Sequence, residues 1–291
     1  MKYLLLILSM SILLSGELEV DGDLKVTGTI QNDSLAQVIA NLQARIAQLE
    51  CTNNGNIPAG YCDCYGNVLD VCGICGGSAI SEDECILTDI DGNTYETVVI
   101  GNQTWMAENL KVTRYRNGAE MLIGSSNGDA LEGAYRSYDD DFSNSETYGY
   151  FYNWYAVDDI RELCMEGWHV SSDADWIELE LFLGMSEEEA YSTAWRGDKG
   201  SKLAINADLW QDGLLENDSE FGASGFNALP AGGCGIWGNS FGSINAMAYF
   251  WTSTSSDDDP WNHVLHYNYL GIDRNNWHSQ NTGMSVRCIK D

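Results

Sequence analysis

Two histidines, His263 and His266, come closest in this sequence to a pair of metal ligands. On a helix, residues three apart share one face and could bind one metal ion. The surrounding WNHVLHYNYL alternates as a strand does, and a strand places the two rings on opposite faces. We therefore predict no metal site at this pair. His169, within GWHV, is interpreted as a packed, hydrogen-bonded structural histidine rather than a general base.

Three acidic stretches could supply oxygen ligands for calcium. The first, Asp89-x-Asp91-Gly92-Asn93, resembles the start of an EF-hand loop. That loop needs a bidentate acid at its twelfth position, where this chain has Ile100. Aspartates fill 139–141 and 257–259, and we interpret both runs as solvated turns, with a structural calcium ion as the alternative. No nucleophile-elbow motif occurs, so the sequence predicts no catalytic residues and no other cofactor.

Aromatic side chains among glycine, asparagine and serine between 235 and 277 are the strongest indication of binding. Such rings, with amide and hydroxyl neighbours, suit carbohydrate rings or peptide surfaces. We expect Trp154 and Trp251, which lie in more apolar motifs, to be buried. The candidate ligand-binding residues are Trp237, Trp261, Tyr267, Tyr269 and Trp277. Of these, the three tryptophans lie in the more polar stretches and are predicted to be exposed.

Net charge excludes some classes of partner. The chain has 44 acidic and 14 basic residues, a formal charge of -30. Nucleic acids need a basic surface, and anionic membranes repel an acidic one. We therefore predict no nucleic-acid partner and interpret the acidity as a solvated surface.

Nine cysteines are distributed unevenly along the chain. Their density in 51–85, where large apolar side chains are scarce, predicts a cysteine-rich spacer held by disulfides or by a metal. Zinc could bind the Cys62-x-Cys64 and Cys72-x-x-Cys75 pairs, whereas export would favour disulfides. Six cysteines permit 15 pairings, and the sequence does not choose among them. The disulfide candidates here are Cys51, Cys62, Cys64, Cys72, Cys75 and Cys85.

The first residues, 1–16, have the pattern of a secretory signal peptide. Lys2 precedes an apolar run from Leu4 to Leu14, which ends at Ser15 and Gly16. A retained anchor is the alternative, although the run is shorter than the roughly 20 residues of a stable span. We expect a secreted, periplasmic or cell-surface protein of bacterial type, with no membrane span once the signal is removed.

Residues 17–50 are predicted to form an oligomerising stem. A six-residue repeat in 17–33 alternates as short strands do. In 34–50, the apolar residues follow 4-3-4-3 spacing, the pattern of a coiled coil. Isoleucine at a and leucine at d favour a dimer, whereas the strand repeat favours a trimer. A helix packed on its own domain is the alternative to this homo-oligomer.

Residues 86–291 change to short strands, turns and aromatics. Asp91-Gly92 and Gly101-Asn102 are predicted to be turns. Ser172 with Asp175 forms a capping box for a helix whose apolar face is Trp176, Leu179, Phe182 and Leu183. A second helix is predicted from Ser186 through Trp195. The tail GMSVRCIKD alternates as a strand, with Met284, Val286 and Cys288 on one face.

The same region resembles a known family. In order over 88–291 stand DIDGNTYETVVIGNQTWMAENLK, YGYFYNWYAV, LCMEGWHVSSDADWIELELFLG, GFNALPAGG, FWTSTSS and GMSVRCIKD. Together they are similar to the Fibrobacter succinogenes major paralogous domain family, although the family usually has proline where SSDADW stands. The resemblance implies an α+β, C-type-lectin-like fold similar to that of the formylglycine-generating enzymes.

Within that domain, Cys164 and Cys288 are candidates for a disulfide that ties its first and last parts together, which would leave Cys234 unpaired. The related oxidases hold copper through two thiolates. A disulfide-bridged pair and one lone cysteine would not supply these two ligands. We therefore predict a non-enzymatic binding, adhesion or surface-display protein with a glycan or protein ligand outside the cell. The alternatives are a structural scaffold module and an oxidase of the formylglycine-generating type.

Overall fold

The structure is a computed structural model that describes Val68 and residues 86–124, 132–235, 240–257 and 259–291. By their mutual contacts, Ala79–Asp291 form one compact unit. The predicted signal peptide (1–16), β-repeat (17–33) and coiled-coil helix (34–50) lie outside the described residues, as do the six cysteines of the spacer and Trp237.

Short strands dominate the described residues and form five small sheets. The strands are β1 (Leu87–Thr88), β2 (Thr94–Tyr95), β3 (Thr97–Ile100), β4 (Gln103–Met106), β5 (Leu122–Ile123), β6 (Ala134–Arg136), β7 (Phe151–Tyr152), β8 (Trp168–Val170), β9 (Ala194–Arg196), β10 (Gly233–Cys234), β11 (Phe241–Gly242), β12 (Met247–Ser256), β13 (Asp259–His266), β14 (Ile272–Asn275) and β15 (Cys288–Lys290). The strand orders within the sheets are β12-β13-β14-β9, β3-β4-β15-β8, β5-β6-β7, β1-β2 and β10-β11. All neighbouring strands are antiparallel except β5 with β6.

Among the residues that the structure describes, helices are few and mostly a single turn. The α-helices are α1 (Ser145–Tyr148), α2 (Trp154–Val157), α3 (Asp173–Phe182), α4 (Glu187–Ala190) and α5 (Gly200–Leu203), and 3-10 turns cover Tyr138–Asp140, Phe142–Asn144 and Ala207–Leu209. A mixed chain with mostly sheet and few helices agrees with the predicted α+β class.

Helix α3 begins where the sequence predicts. The side chain of Ser172 accepts from the Asp175 backbone N–H, and the Asp175 carboxylate accepts from the backbone N–H of Ser172, so the capping box is present. The prediction for Phe182 is wrong, since this side chain is 63% exposed. At 3.6 residues per turn, Phe182 lies roughly 240° around the helix from Trp176. Its ring lies against Gly101 instead.

The second predicted helix is much shorter than expected. The Ser186–Glu189 capping box is present, but α4 ends at Ala190. Trp195 belongs to β9, where it pairs with Asp273 of β14. The backbone of β9 forms its hydrogen bonds with β14, almost 80 residues later in the sequence, and not within a longer helix. A local sequence pattern does not reveal such a distant partner.

Both predicted turns are present. Asp91-Gly92 lies in the β1–β2 connection, where Gly92 has φ +85° and the side chain of Asp89 accepts from the backbone N–H groups of Asp91 and Asn93. Gly101-Asn102 connects β3 to β4, and Gly101, at φ +65°, occupies the first central position that favours glycine in a tight hairpin.

The last strand closes the domain on its beginning. β15 lies between β4 and β8, and Cys288 forms a disulfide with Cys164, so the predicted bridge is confirmed. The tail strand is shorter than predicted, because β15 begins at Cys288. From Met284 to Cys288 every side chain is buried, including Arg287.

The core contains an aromatic centre between α3 and two sheets. Trp105 and Trp176 pack with Phe226 and Phe250 in mostly edge-to-face contacts, with ring centroids 5.2–5.7 Å apart. Such pairs stabilise beyond the area that they bury. Trp154 and Trp251 are buried as predicted. Within the described residues, no helix is both long and apolar enough to cross a bilayer.

Candidate functional site

Helix α3 carries two carboxylates on its buried face. Asp173, at the first helical position, and Glu180, seven residues later, lie on the same side of the helix as Trp176. Glu180 is fully buried and Asp173 is 7% exposed. Buried carboxylates are rare unless they are paired. Their partners therefore decide the chemistry of this face.

His263 of β13 lies between these two carboxylates. Its Nδ1 is 2.9 Å from Glu180 Oε1, and its Nε2 is 3.2 Å from Asp173 Oδ1. The imidazole is completely buried and lies almost parallel to the indole of Trp176. Only a ring with a proton on each nitrogen can donate to both carboxylates. The ring thus bridges the two carboxylates.

Two arginines from neighbouring strands complete the network. Arg196 of β9 donates to both oxygens of Glu180, at 2.6 and 3.1 Å. Arg274 of β14 donates to both oxygens of Asp173, each at 2.7 Å. The register places Arg274 directly opposite His263. Sheet pairing thus brings two arginines and one histidine to the two carboxylates of α3.

Electrostatics make the network costly to break. Burial raises the pKa of Asp173, but hydrogen bonds from Arg274 and His263 outweigh burial and hold this pKa well below its ordinary value. On the opposite face of β14, burial raises the pKa of Asp273, although a hydrogen bond from Asn275 opposes the shift. Removing one partner of a buried ion pair leaves the other charge uncompensated. The network therefore holds the side chains of α3, β13 and β14 in fixed positions.

A groove of about 500 Å³ opens beside this network, between α3 and β14. Its walls combine apolar and charged groups, which are Asp173, Ala174, Ile177, Glu178, Leu181, Tyr191 and Arg274. Tyr191 is 60% exposed. The size and the mixture of apolar walls with a few fixed polar groups are typical of ligand sites.

Trp261 contacts Arg274, which lines this groove. The guanidinium of Arg274 is 4.0 Å from the centre of its ring, a cation–π contact. Trp261 is half-buried, which agrees in part with its predicted exposure. Of the aromatic residues predicted to bind a ligand, none that the structure describes lines the groove, and Trp261 is linked to it through Arg274.

The other predicted aromatic residues lie elsewhere. Tyr269 is 48% exposed and stacks on Trp195, which the sequence did not single out, with centroids 4.7 Å apart. Tyr267 is half-buried and packs against the core. Trp277 is 60% exposed, as predicted, and its ring lies against His278. The predicted candidates that the structure describes therefore do not form one site.

His169 and Asp89, which the sequence analysis also considered, have structural partners. His169 lies between Asp291 and Asp175, at 2.7 and 3.3 Å, and is hydrogen-bonded as expected. His263 and His266 lie on one strand, as predicted, and have different surroundings. The carboxylate of Asp89 accepts from backbone and side-chain donors of its own loop and from the hydroxyl of Tyr95 in β2. Within the described residues, no cluster of three His, Cys, Asp or Glu has a geometry that could hold a metal ion.

Cys234 is the free thiol among the described cysteines, and it is buried. Arg136 donates to its sulfur at 3.0 Å and forms an ion pair with Asp140. Burial raises the pKa of this thiol, although the charge of Arg136 opposes the shift. Because Cys164 and Cys288 are joined, the described cysteines do not supply two reduced sulfurs.

Sequence reasoning missed the charged network. It found Trp176 and Leu179 but passed over Asp173 and Glu180, which share their buried face. The available signal was the seven-residue spacing of these two acids around Trp176, which predicts one helical face. Nothing local identified Arg196 and Arg274 as their partners.

Comparisons with known proteins complete these observations. A family model described as the Fibrobacter succinogenes major domain matches residues 98–290, which include the network, the groove and the disulfide. No curated protein and no solved structure has a significant match.

Proposed function

The chain belongs to the Fibrobacter succinogenes major domain family, and we propose that it is an exported, non-enzymatic protein that binds a glycan through the domain spanning 86–291. In this proposal the domain has a C-type-lectin-like fold. The ligand lies outside the inner membrane, on a cell surface or in the surrounding medium.

One observation carries the proposal, which is the groove between α3 and β14. Tyr191 supplies an exposed aromatic ring, while Ile177 and Leu181 supply apolar wall. Aromatic and apolar surface suits the C–H faces of a sugar ring, and fixed polar groups suit its hydroxyls. Asp173 and Arg274 are such groups, since each is held by the other through two hydrogen bonds.

A pre-organised site costs little to order on binding. Long side chains such as arginine ordinarily lose conformational entropy when they bind a ligand. Here Arg274 already bonds Asp173, the carbonyl oxygens of Tyr191 and Ser192, and the face of Trp261. A ligand in the groove therefore meets groups whose positions the protein has fixed in advance.

Residues 17–50 complete the proposed function as an oligomerising stem, with the cysteine-rich segment 51–85 as a spacer. A dimer or trimer would present several heads on one stem. Several weak sites on one particle raise the effective concentration of each for a repetitive ligand. Such an arrangement suits adhesion to a polysaccharide.

The test is retention of the full-length secreted protein on a panel of immobilised polysaccharides. We expect retention on at least one polysaccharide, weakened at least tenfold by Trp261→Ala and by Tyr191→Ala. Ile160→Ala is the matched control, because Ile160 is 96% exposed and lies outside the groove lining. Retention on none of the polysaccharides, or equal retention of all three variants, would contradict the proposal.

A structural scaffold module is the second candidate. It is favoured by Tyr267, which packs against the core, and by Trp261, one face of which is covered by Arg274. The same panel separates the two functions, since a scaffold binds no polysaccharide. The oxidase alternative requires two reduced thiols, whereas among the described cysteines only Cys234 is free.

A further inference from the structure

A second cavity, of about 280 Å³, lies at the loop after β4 and the helix α1. None of the residues that line the groove between α3 and β14 lines this cavity. Its lining includes three glutamates (Glu96, Glu108 and Glu146), two asparagines in the left-handed conformation (Asn206 and Asn227) and the buried Arg287.

Arg287 is a buried charge with no acidic partner among the described residues. Its side chain is 1% exposed, and no carboxylate of the described residues lies within ion-pair distance of it. Its Nε donates to Asn109, its Nη1 to the carbonyls of Met106 and Phe226, and its Nη2 to the carbonyl of Asn227. Burial lowers its pKa to about 9, although the charge of Glu108 opposes the shift.

The hydrogen bonds of Arg287 leave one donor over. A guanidinium has five N–H groups, and the four bonds account for one on Nε, two on Nη1 and one on Nη2. The second N–H of Nη2 has no acceptor among the described residues. An unsatisfied N–H of a buried charged group is expensive. Because Arg287 lines the cavity, a molecule in the cavity can supply the missing acceptor.

Charges on the wall decide what kind of acceptor suits this cavity. Glu96 and Glu146 are exposed and Glu108 is half-buried, so three carboxylates are set against Arg287 and Lys111. An anion would gain from Arg287 but be repelled by three carboxylates, while a cation would meet the buried guanidinium. A hydroxyl both donates and accepts. It can accept from Arg287 while its neighbours donate to the glutamates.

We propose that this cavity is a second carbohydrate site that takes one uncharged pyranose unit, with a ring hydroxyl accepting from Arg287 Nη2 and others donating to the glutamate carboxylates. This inference rests on the proposed glycan-binding function and adds the class of sugar and its position. Asn206 and Asn227 offer side-chain amides at the same wall. The half-buried Ile205 and Leu229 of the same wall offer apolar contact for the sugar ring.

The test is calorimetric titration of the full-length protein with maltotetraose, cellotetraose, mannotetraose and xylotetraose, each compared with tetragalacturonate. We expect at least one neutral tetrasaccharide to bind and tetragalacturonate to bind at least tenfold more weakly. The double variant Glu146→Gln/Asn206→Gly should weaken the neutral ligand at least tenfold. Asn206 makes no side-chain capping bond, and glycine accepts its φ of +59°, so the fold is preserved. Glu166→Gln, exposed and outside the cavity lining, is the matched control.

A second measurement reports where the sugar binds. The Nε–H resonance of Arg287 should shift in a proton–nitrogen spectrum when the neutral sugar is added, and it should not shift in the double variant. The inference would be overturned if no neutral tetrasaccharide bound, or if tetragalacturonate bound more tightly than the neutral sugars. The proposed function would then still be decided by the retention experiment on immobilised polysaccharides. Loss of neutral-sugar binding with Tyr191→Ala but not with the double variant would also overturn it, while supporting the groove.

Discussion

The ring of His263 lies parallel to the indole of Trp176, with 4.6 Å between their centroids and 14° between their planes. This stack fixes the plane of the imidazole, so that its two nitrogens point at Glu180 and Asp173. A strand residue and a helix residue thus together fix the position of the imidazole nitrogens. The stack holds the imidazole that bridges the two carboxylates of the charged network.

Replacing His263 should destabilise the domain strongly. His263→Leu keeps much of the volume but removes both ring nitrogens, which leaves two buried carboxylates with fewer partners. The free energy of unfolding should fall by about 3 kcal/mol or more. Urea unfolding followed by tryptophan fluorescence measures the change.

His266→Leu is the matched control for that variant. His266 lies on the same strand but is half-buried and has no carboxylate partner among the described residues. Its replacement should change the free energy of unfolding by less than about 1 kcal/mol. Equal losses for the two variants would show that the network does not contribute the stability assigned to it.

His278 should make the domain less stable in mild acid. Burial lowers its pKa from 6.5 to about 4, so in the folded state the ring stays neutral in a range where the unfolded chain is protonated. Protonation then favours the unfolded state, and stability falls as the pH drops from about 6.5 to about 4. A difference of this size corresponds to at most about 3 kcal/mol.

The variant His278→Gln tests this dependence, because it cannot titrate. The free energy of unfolding, measured at pH 7 and at pH 4.5, should differ less for the variant than for the wild-type chain. The comparison cancels the titration of carboxylates, which is common to both proteins. An identical pH dependence in the two would refute the prediction.

The disulfide between Cys164 and Cys288 should contribute substantially to stability. It joins residues 124 apart in sequence, and closing a loop of that length restricts the unfolded chain by about 5 kcal/mol in the chain-entropy model. Cys164→Ser/Cys288→Ser should therefore unfold at a much lower urea concentration than the wild-type chain.

Cys234→Ser provides the control, since a hydroxyl can still accept from Arg136 and the loss should stay below about 1.5 kcal/mol. Thiol labelling gives an independent check. In the native protein, Cys234 should resist iodoacetamide because it is buried, whereas Cys164 and Cys288 should not react at all without a reductant. Rapid labelling of either of them in the native chain would contradict the assignment.

Local patterns in the sequence determined much of this domain. Some features depend only on residues that are neighbours in the sequence, so a local pattern can predict them. They are the capping boxes at Ser172 and Ser186, the turns at Gly92 and Gly101 and the burial of Trp251. The family resemblance, since matched by a family model over 98–290, came from several such motifs in one order.

Tertiary structure decided the rest, because it depends on partners far away in sequence. Trp195 is in a strand because β14 pairs with it, and Phe182 is exposed because α3 turns its other face to the core. Arg274 meets Asp173 across 101 residues and His263 meets Glu180 across 83. In the sequence, a charged residue that is exposed to water cannot be distinguished from one that forms a buried ion pair. Only the packing of α3 on the sheet shows which of them are buried together, and therefore where the groove lies.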